Sequence, residues 1–207
     1  MIAVIDYGVG NVGSIINMLK KIGDTPILAK NASDIKKADK LILPGVGSFD
    51  TGMRMLRESG MLDEINNHVT IKEKPLLGIC LGMQMLGRQS EEGKLKGLSY
   101  IPFDNVKFNF DSLESKEYKT PHMGWNVVKN TICDDSIVSN IDTIQRYYFV
   151  HSYHALCDKE ENILMKCKYG YEFAAAVKHN NVYGFQFHPE KSHKFGMTLL
   201  ENFARRL

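Results

Sequence analysis

The residues of this chain with the types and spacing to do chemistry are a cysteine bracketed by glycines and a histidine followed two positions later by a glutamate. Leu76-Leu77-Gly78-Ile79-Cys80-Leu81-Gly82-Met83-Gln84 is a short apolar strand running into Gly-x-Cys-x-Gly, the form of a nucleophile elbow with sulfur in place of the usual hydroxyl. An elbow holds its nucleophile in strained backbone geometry, so the flanking residues must lack side chains that would strike the adjoining strand or helix. Gly78 and Gly82 meet that need. The turn also aims the thiol at the first amides of a helix expected from Leu81, a setting that favours a thiolate. Taken alone, a cysteine after an apolar strand reads equally as an inert core residue.

A thiol nucleophile needs a base that later serves as an acid, and the base needs a carboxylate to fix its tautomer. Of seven histidines, His188 has the geometry: the strand Val182-Tyr183-Gly184-Phe185-Gln186-Phe187 delivers it, Pro189 stops the strand, and Glu190 follows within reach of the ring. Cys80, His188 and Glu190 are therefore the candidate catalytic residues.

Elements at both ends of the chain must bring these groups together. Ile2 to Ile5 reads as a buried strand, followed by the turn Asp6-Tyr7-Gly8-Val9-Gly10-Asn11-Val12-Gly13 into a helix carrying Ile15, Ile16, Met18, Leu19 and Ile22. Gly8, Gly10 and Gly13 form a literal G-x-G-x-x-G, so a dinucleotide-binding module is the competing reading. That reading wants an acid at the end of the second strand, and the expected strand Pro26 to Ala29 ends in Lys30-Asn31; Asp34 looks more like a helix-start residue. A third strand, Lys40 to Leu43, closes in Pro44-Gly45-Val46-Gly47, where two glycines free the Val46 backbone to present an amide to an oxyanion. A plain strand-to-helix turn would look the same. Helices are expected after it with Met53, Met55 and Leu56 and again over Leu62 to Val69. Alternating strands and helices imply a parallel sheet with its ligand beyond the carboxyl ends of the strands.

Past Gly97 the pattern changes to short aromatic segments, Val106 to Phe108, Tyr147 to Val150, Phe173 to Val177 and Val182 to Phe187, some of them antiparallel. Phe110 to Thr120 reads as a loop, and a last helix near Gly196 to Arg206 carries a core-facing stripe. With no linker or repeat, the expectation is one α/β domain over residues 1–207, with a mixed, largely parallel central sheet flanked by helices.

Bulk properties remove several classes. Of 207 residues, 43% are hydrophobic, which excludes a disordered chain. A net charge of +2 from 26 basic and 24 acidic residues leaves no basic stripe, so nucleic acid is not an expected partner. The four cysteines, Cys80, Cys133, Cys157 and Cys167, contain no C-x-x-C pair, which argues against a metal site or disulfide framework and fits a reducing compartment. The first residues reach an acid and glycines too soon for a signal peptide, and no apolar run is long enough for a membrane. The expectation is a cytoplasmic protein without membrane contact.

Gly78-Ile79-Cys80-Leu81-Gly82-Met83-Gln84 together with His188-Pro189-Glu190-Lys191 resembles the class I glutamine amidotransferase family. Within it, Asp6 to Asn11, Leu43 to Gly47, Pro121-His122-Met123-Gly124-Trp125-Asn126 and Phe149 to Tyr153 are similar to the glutaminase subunit of a histidine-biosynthetic synthase. The resemblance implies hydrolysis of glutamine without a cofactor. It makes the amides of Val46, with Gly47, and of Leu81 the oxyanion donors, and Gly45, Gln84, Glu92 and the Ser152-Tyr153 backbone the substrate contacts. It also implies a heterodimer with a (βα)8-barrel synthase or cyclase subunit that receives ammonia, with Asn11, Trp125, Tyr148 and Lys191 at that interface. A paralogous arrangement amidates sugars for surface polysaccharides, and Gly87-Arg88-Gln89 and Ser192 to Gly196 depart from the commoner pattern in a way that keeps it open. A partner-independent cysteine hydrolase of another amide also stays open.

Overall fold

The computed structural model describes residues 1–110, 117–132 and 134–207; most of the loop expected over 110–120, and Cys133, lie outside these. The parallel half of the sheet comes from β1 (Ile2–Ile5), β2 (Ile27–Ala29), β3 (Lys40–Gly45), β4 (Leu76–Cys80) and β11 (Val182–Phe185), in the order β2-β1-β3-β4-β11. Between them run α1 (Val12–Lys21), α2 (Ala32–Lys37), α3 (Phe49–Glu58), α4 (Leu62–Asn66) and α5 (Leu81–Met85).

Strand alternation sorts the side chains between two cores. In β1, Ile2 and Val4 join Ile15, Met18 and Leu19 of α1 together with Leu199, Leu200 and Phe203 of α6 (His193–Arg206). Ala3 and Ile5 face the other way, onto Ile35, Phe49, Met53, Leu56 and Ile65 from α2, α3 and α4. Helices on both faces bury both sides of these strands, which is why the strands read as unbroken apolar runs.

The antiparallel half continues through β10 (Tyr171–His179), β9 (Ile163–Tyr169), β6 (His122–Asn130) and β7 (Ile144–His151). A side ladder of β5 (Phe103–Lys107) and β8 (Tyr153–Cys157) joins through Ala155 opposite Ala174. The mixed α/β sheet expected from sequence is present, but it is not largely parallel: among the described residues four strand pairings are parallel and six antiparallel, because the aromatic second half adds hairpin-type ladders beside β11. Other differences are of detail. The helix expected over Leu62 to Val69 is α4 followed by a π-turn, Asn67–Ile71. The strand expected to run to Phe187 leaves β4 after Phe185, because β4 ends and the next amides find other carbonyls: Gln186 N donates to Ala175 O and His188 N to Tyr148 O, both at 2.9 Å. Among the described residues no helix is long and apolar enough to cross a membrane.

Because β1, β3, β4 and β11 are neighbours and parallel, the turns after Ile5, Gly45, Cys80 and Phe185 all emerge on one edge.

Candidate active site

Cys80 closes β4 with φ +56° and ψ −112°, a backbone region that side chains other than glycine rarely occupy. The glycines around it are required by space. A Cβ on Gly78 would lie 2.7 Å from the Gly82 carbonyl oxygen and from Met83 N, and one on Gly82 would overlap the Leu43 carbonyl oxygen. One on Gly45 would lie 2.9 Å from Gly82 N and from the Tyr7 hydroxyl, which itself donates to Pro44 O at 2.8 Å. The elbow is thus wedged against the end of β3. The α5 turn that follows is five residues long, shorter than a helix of ordinary length.

His188 arrives from β11, the other neighbour of β4. Its amide donates to Tyr148 O, and its carbonyl accepts from Ser192 Oγ at 2.6 Å, while Ser192 Oγ accepts from Tyr148 N at 3.0 Å. Fully buried Ser192 so ties the histidine to β7. His188 Nδ1 donates to Glu190 Oε1 at 2.7 Å, with the two side chains 2% and 1% exposed. Nε2, the nitrogen turned away from Glu190, is buried on the side of Cys80, and Glu190 Oε2 is buried with no hydrogen-bond partner among the described residues. Burial by itself would lower the His188 imidazole, but hydrogen bonding and negative charge at Cys80 and Glu190 outweigh it and push it up to about 9. Cys157 and Cys167, by contrast, are pushed up to about 12 by burial first, the setting of inert thiols.

Cys80 and His188 open onto a cleft of about 320 Å³, lined also by Val46, Gly47, Leu81, Gln84, Glu92, Ser152 and Tyr153. Of the residues singled out in the sequence, the structure gathers these around one space with Cys80 and His188, while Glu190 touches that space only through His188. Gly45 lies behind them, paired in register with Cys80. Val46 is exposed, and Gly47 has φ +102° with no atom of the described residues within 4 Å of the place a Cβ would take, so this backbone has room to turn. Gln84 Nε2 donates to Tyr153 O and to Gln186 Oε1, each at 3.2 Å. Glu92 Oε2 accepts from Phe49 N at 2.7 Å, capping α3.

The other four sites lie outside the cleft lining. Trp125 is 38% exposed on β6, edge-on to Tyr148 and stacked on His193 at 5.5 Å and 5°. Lys191 Nζ sits 5.8 Å from the Tyr148 ring centroid. Asn11 caps α1, its Oδ1 accepting from Ser14 N.

Sequence reasoning passed over Gln186, Ser192 and His151. Gln186 is fully buried, accepts from Gln84 and points its Nε2 toward Cys80 Sγ at 3.9 Å. Two residues before His188, a lone amide in an apolar strand, it carried a readable signal. Ser192 and His151 carried none, since their partners come from distant strands.

The dinucleotide reading fails on local geometry. Among the described residues a Cβ on Gly13 would meet nothing within 4 Å, so none of them packs there as the strand of a dinucleotide turn would. Asp34 accepts from Lys30 N while Asn31 caps α2, which makes it the helix-start residue its position suggested. Gly87 has a packing reason, since a Cβ would strike Phe103, and Arg88 pairs with Asp104 and Asp158. Among the described residues no group of three His, Cys, Asp or Glu side chains could hold a metal ion.

Comparison with known proteins places this geometry in context. Residues 3–207 match the family described as glutamine amidotransferase class-I. A relative from Methanococcus maripaludis, named imidazole glycerol phosphate synthase subunit HisH 2, is 54% identical over the full length of both chains. One of the same name from Pseudomonas aeruginosa is 52% identical over 99% of this chain and 98% of its own. The Bdellovibrio bacteriovorus subunit HisH is 44% identical over 99% of each. Among solved structures, a glutamine amidotransferase superposes with a TM-score of 0.72 at 17% identity over 98% of both chains, and PurLQS from Thermotoga maritima with 0.71 at 18% over 99% and 97%. At such identities the likeness is one of fold.

Proposed function

This chain belongs to the class I glutamine amidotransferase family, and from that premise we propose that it is the glutaminase subunit of an imidazole glycerol phosphate synthase, releasing ammonia from glutamine for histidine biosynthesis. The observation that carries the mechanism is the convergence of the strained Cys80 elbow with a buried His188 bonded to Glu190 at 2.7 Å, on one cleft.

In this reading Cys80 Sγ attacks the side-chain carbonyl carbon of glutamine. The oxygen takes up negative charge against the amides of Leu81 and Val46, the latter after the Gly45-Val46 peptide turns. The carbon–nitrogen bond breaks as His188 gives a proton to the departing ammonia, leaving a γ-glutamyl thioester. His188 then takes a proton from water, water attacks the thioester, sulfur leaves, and glutamate is released. Glu190 holds the imidazole by Nδ1 throughout and so aims Nε2 at the chemistry. Only protons and a glutamyl group move, so no cofactor is called for. Glu92, which lines the cleft, suits the substrate's ammonium group, and Gln84 with the Ser152-Tyr153 backbone suits its carboxylate and amide ends.

Ammonia released into water would be protonated and lost to synthesis, so the reaction is useful only when a second active site receives it directly. The receiving subunit in this reading is a (βα)8-barrel cyclase docked as a heterodimer in the cytoplasm. Exposed Met123, Trp125 and Val127 on the outer face of β6, beside Tyr148 and Lys191, suit that contact, because large apolar side chains there lie open to solvent.

The test is Cys80→Ala in the reconstituted complex, supplied with glutamine or with ammonium salt. Synthesis should fail with glutamine and continue with ammonium, since only the ammonia source is removed. Unchanged synthesis from glutamine would overturn the mechanism. Wild-type complex that amidates a sugar precursor but makes no imidazole product would move the acceptor to surface polysaccharide and leave the glutaminase in place.

A further inference from the structure

His122 and His151 stand directly opposite one another on β6 and β7, buried beside the cleft with their rings in hydrogen-bond contact. Their tautomers follow from the groups at either end of the chain they form. Asn126 Oδ1 accepts from Val127 N at 2.7 Å, which fixes the amide so that Nδ2 donates to Lys168 O at 3.0 Å and to His122 Nε2 at 3.2 Å. His122 Nε2 is then an acceptor, so the ring hydrogen sits on Nδ1 and is donated to His151 Nε2 at 3.0 Å. His151 Nδ1 in turn donates to Tyr153 O at 2.8 Å. Every link runs one way, and both rings must be neutral to complete it.

The surroundings enforce neutrality. Phe149 and Tyr169 stack on His122 at 4.8 and 4.1 Å, and Phe108 and Phe173 lie 5.1 and 5.3 Å from the His151 ring. The end of the chain is not an arbitrary carbonyl. Tyr153 O is the same oxygen that accepts from Gln84 Nε2, and His151, Ser152 and Tyr153 all line the cleft. A pair serving only the core would have no reason to terminate on the wall where substrate is expected.

We propose that His122 and His151 are a positioning pair for glutamine: a neutral imidazole dyad, set by Asn126, that holds the Ser152-Tyr153 wall at the spacing the substrate needs. The inference rests on the glutaminase reading. His151 fixes the wall directly, and His122 acts through His151. The pair takes no part in bond making, so its loss changes glutamine affinity and leaves the chemical step alone.

The experiment measures glutaminase kinetics of the reconstituted complex with glutamine varied, for wild type, His122→Phe, His122→Asn and Asn126→Ala. In His122→Phe the donor to His151 is gone, and KM should rise about tenfold with kcat within about twofold. His122→Asn places an amide donor near the position of Nδ1 and should bring KM back to within about threefold of wild type. Asn126→Ala, which frees the tautomer without touching the core, should raise KM by about threefold. Wild type without glutaminase activity would sink the underlying reading. An active wild type with KM unmoved in His122→Phe, or a loss confined to kcat, overturns the dyad alone. If His122→Phe does not fold, an unchanged KM in Asn126→Ala overturns it equally.

Discussion

Gly82 is seated against the carbonyl of Leu43 so closely that no Cβ can be placed between them. This single approach joins the elbow after β4 to the end of β3 and thereby sets Cys80 beside Gly45. Gly82→Ala should therefore cost stability and position together. By comparison with overpacked cores the loss is on the order of 3 kcal/mol, with glutaminase activity falling further than the folded fraction. Chemical denaturation and turnover of the same sample measure both.

Gly13 is the control for the same argument. Its Cβ would meet open space within α1, so Gly13→Ala should leave activity intact and raise stability by up to about 1 kcal/mol. A loss of stability or activity would revive a close-packed role for the first glycine turn.

Glu190 holds His188 in one tautomer and contributes to its raised pKa, after the larger effect of Cys80. Glu190→Gln should lower kcat by up to roughly 10⁴-fold, the drop seen when a triad carboxylate is neutralised. It should also bring the His188 titration, read by NMR, down from about 9. The sign for stability follows from a folded value above the ordinary 6.5: the contribution is present below pH 6.5 and lost as pH rises through about 9. The wild type should accordingly weaken on that alkaline limb, and Glu190→Gln should weaken less.

The opposite limb belongs to the buried neutral histidines. Burial is the first cause that pushes His68 and His122 down to about 4. For a depressed imidazole, stability is complete above pH 6.5 and is lost as pH falls toward 4, because each ring must then charge on unfolding or be charged in place. Denaturant midpoints should drop between pH 7 and pH 4.5. A midpoint constant over that range would contradict the neutral assignment.

Arg88 is bonded to both Asp104 and Asp158, yet its side chain is 41% exposed. Arg88→Ala should therefore cost no more than about 1 kcal/mol and leave glutamine turnover unchanged. A large loss of turnover would give this departure from the commoner pattern a role in the reaction.

How much of this was legible beforehand depends on whether the cause is local. Gly78 and Gly82 announce a crossing because a missing side chain needs a reason, and the strand that delivers His188 shows in its apolar run. A parallel sheet with its ligand edge at the strand ends follows from alternating strands and helices, but the place of β11 beside β4 does not, since β11 comes after the antiparallel strands in the chain. Gln186 was visible as a polar residue in that run and was passed over. Ser192 was not visible, because its partners Tyr148 and His188 meet only after β7 folds beside the end of β11. The His122–His151 pair likewise needs the register of β6 on β7, which no spacing along the chain reveals.

The account stands on Cys80 as the sulfur that bonds to glutamine, and covalent labelling tests this most directly. The complex would be treated with a glutamine analogue bearing an electrophilic carbon in place of the carboxamide and then mapped by peptide mass spectrometry. The predicted result is one label, on Cys80, appearing in proportion to lost glutaminase activity and prevented by glutamine, with Cys133, Cys157 and Cys167 unmodified. Loss of activity with the label on another cysteine, or full activity with Cys80 labelled, would contradict it.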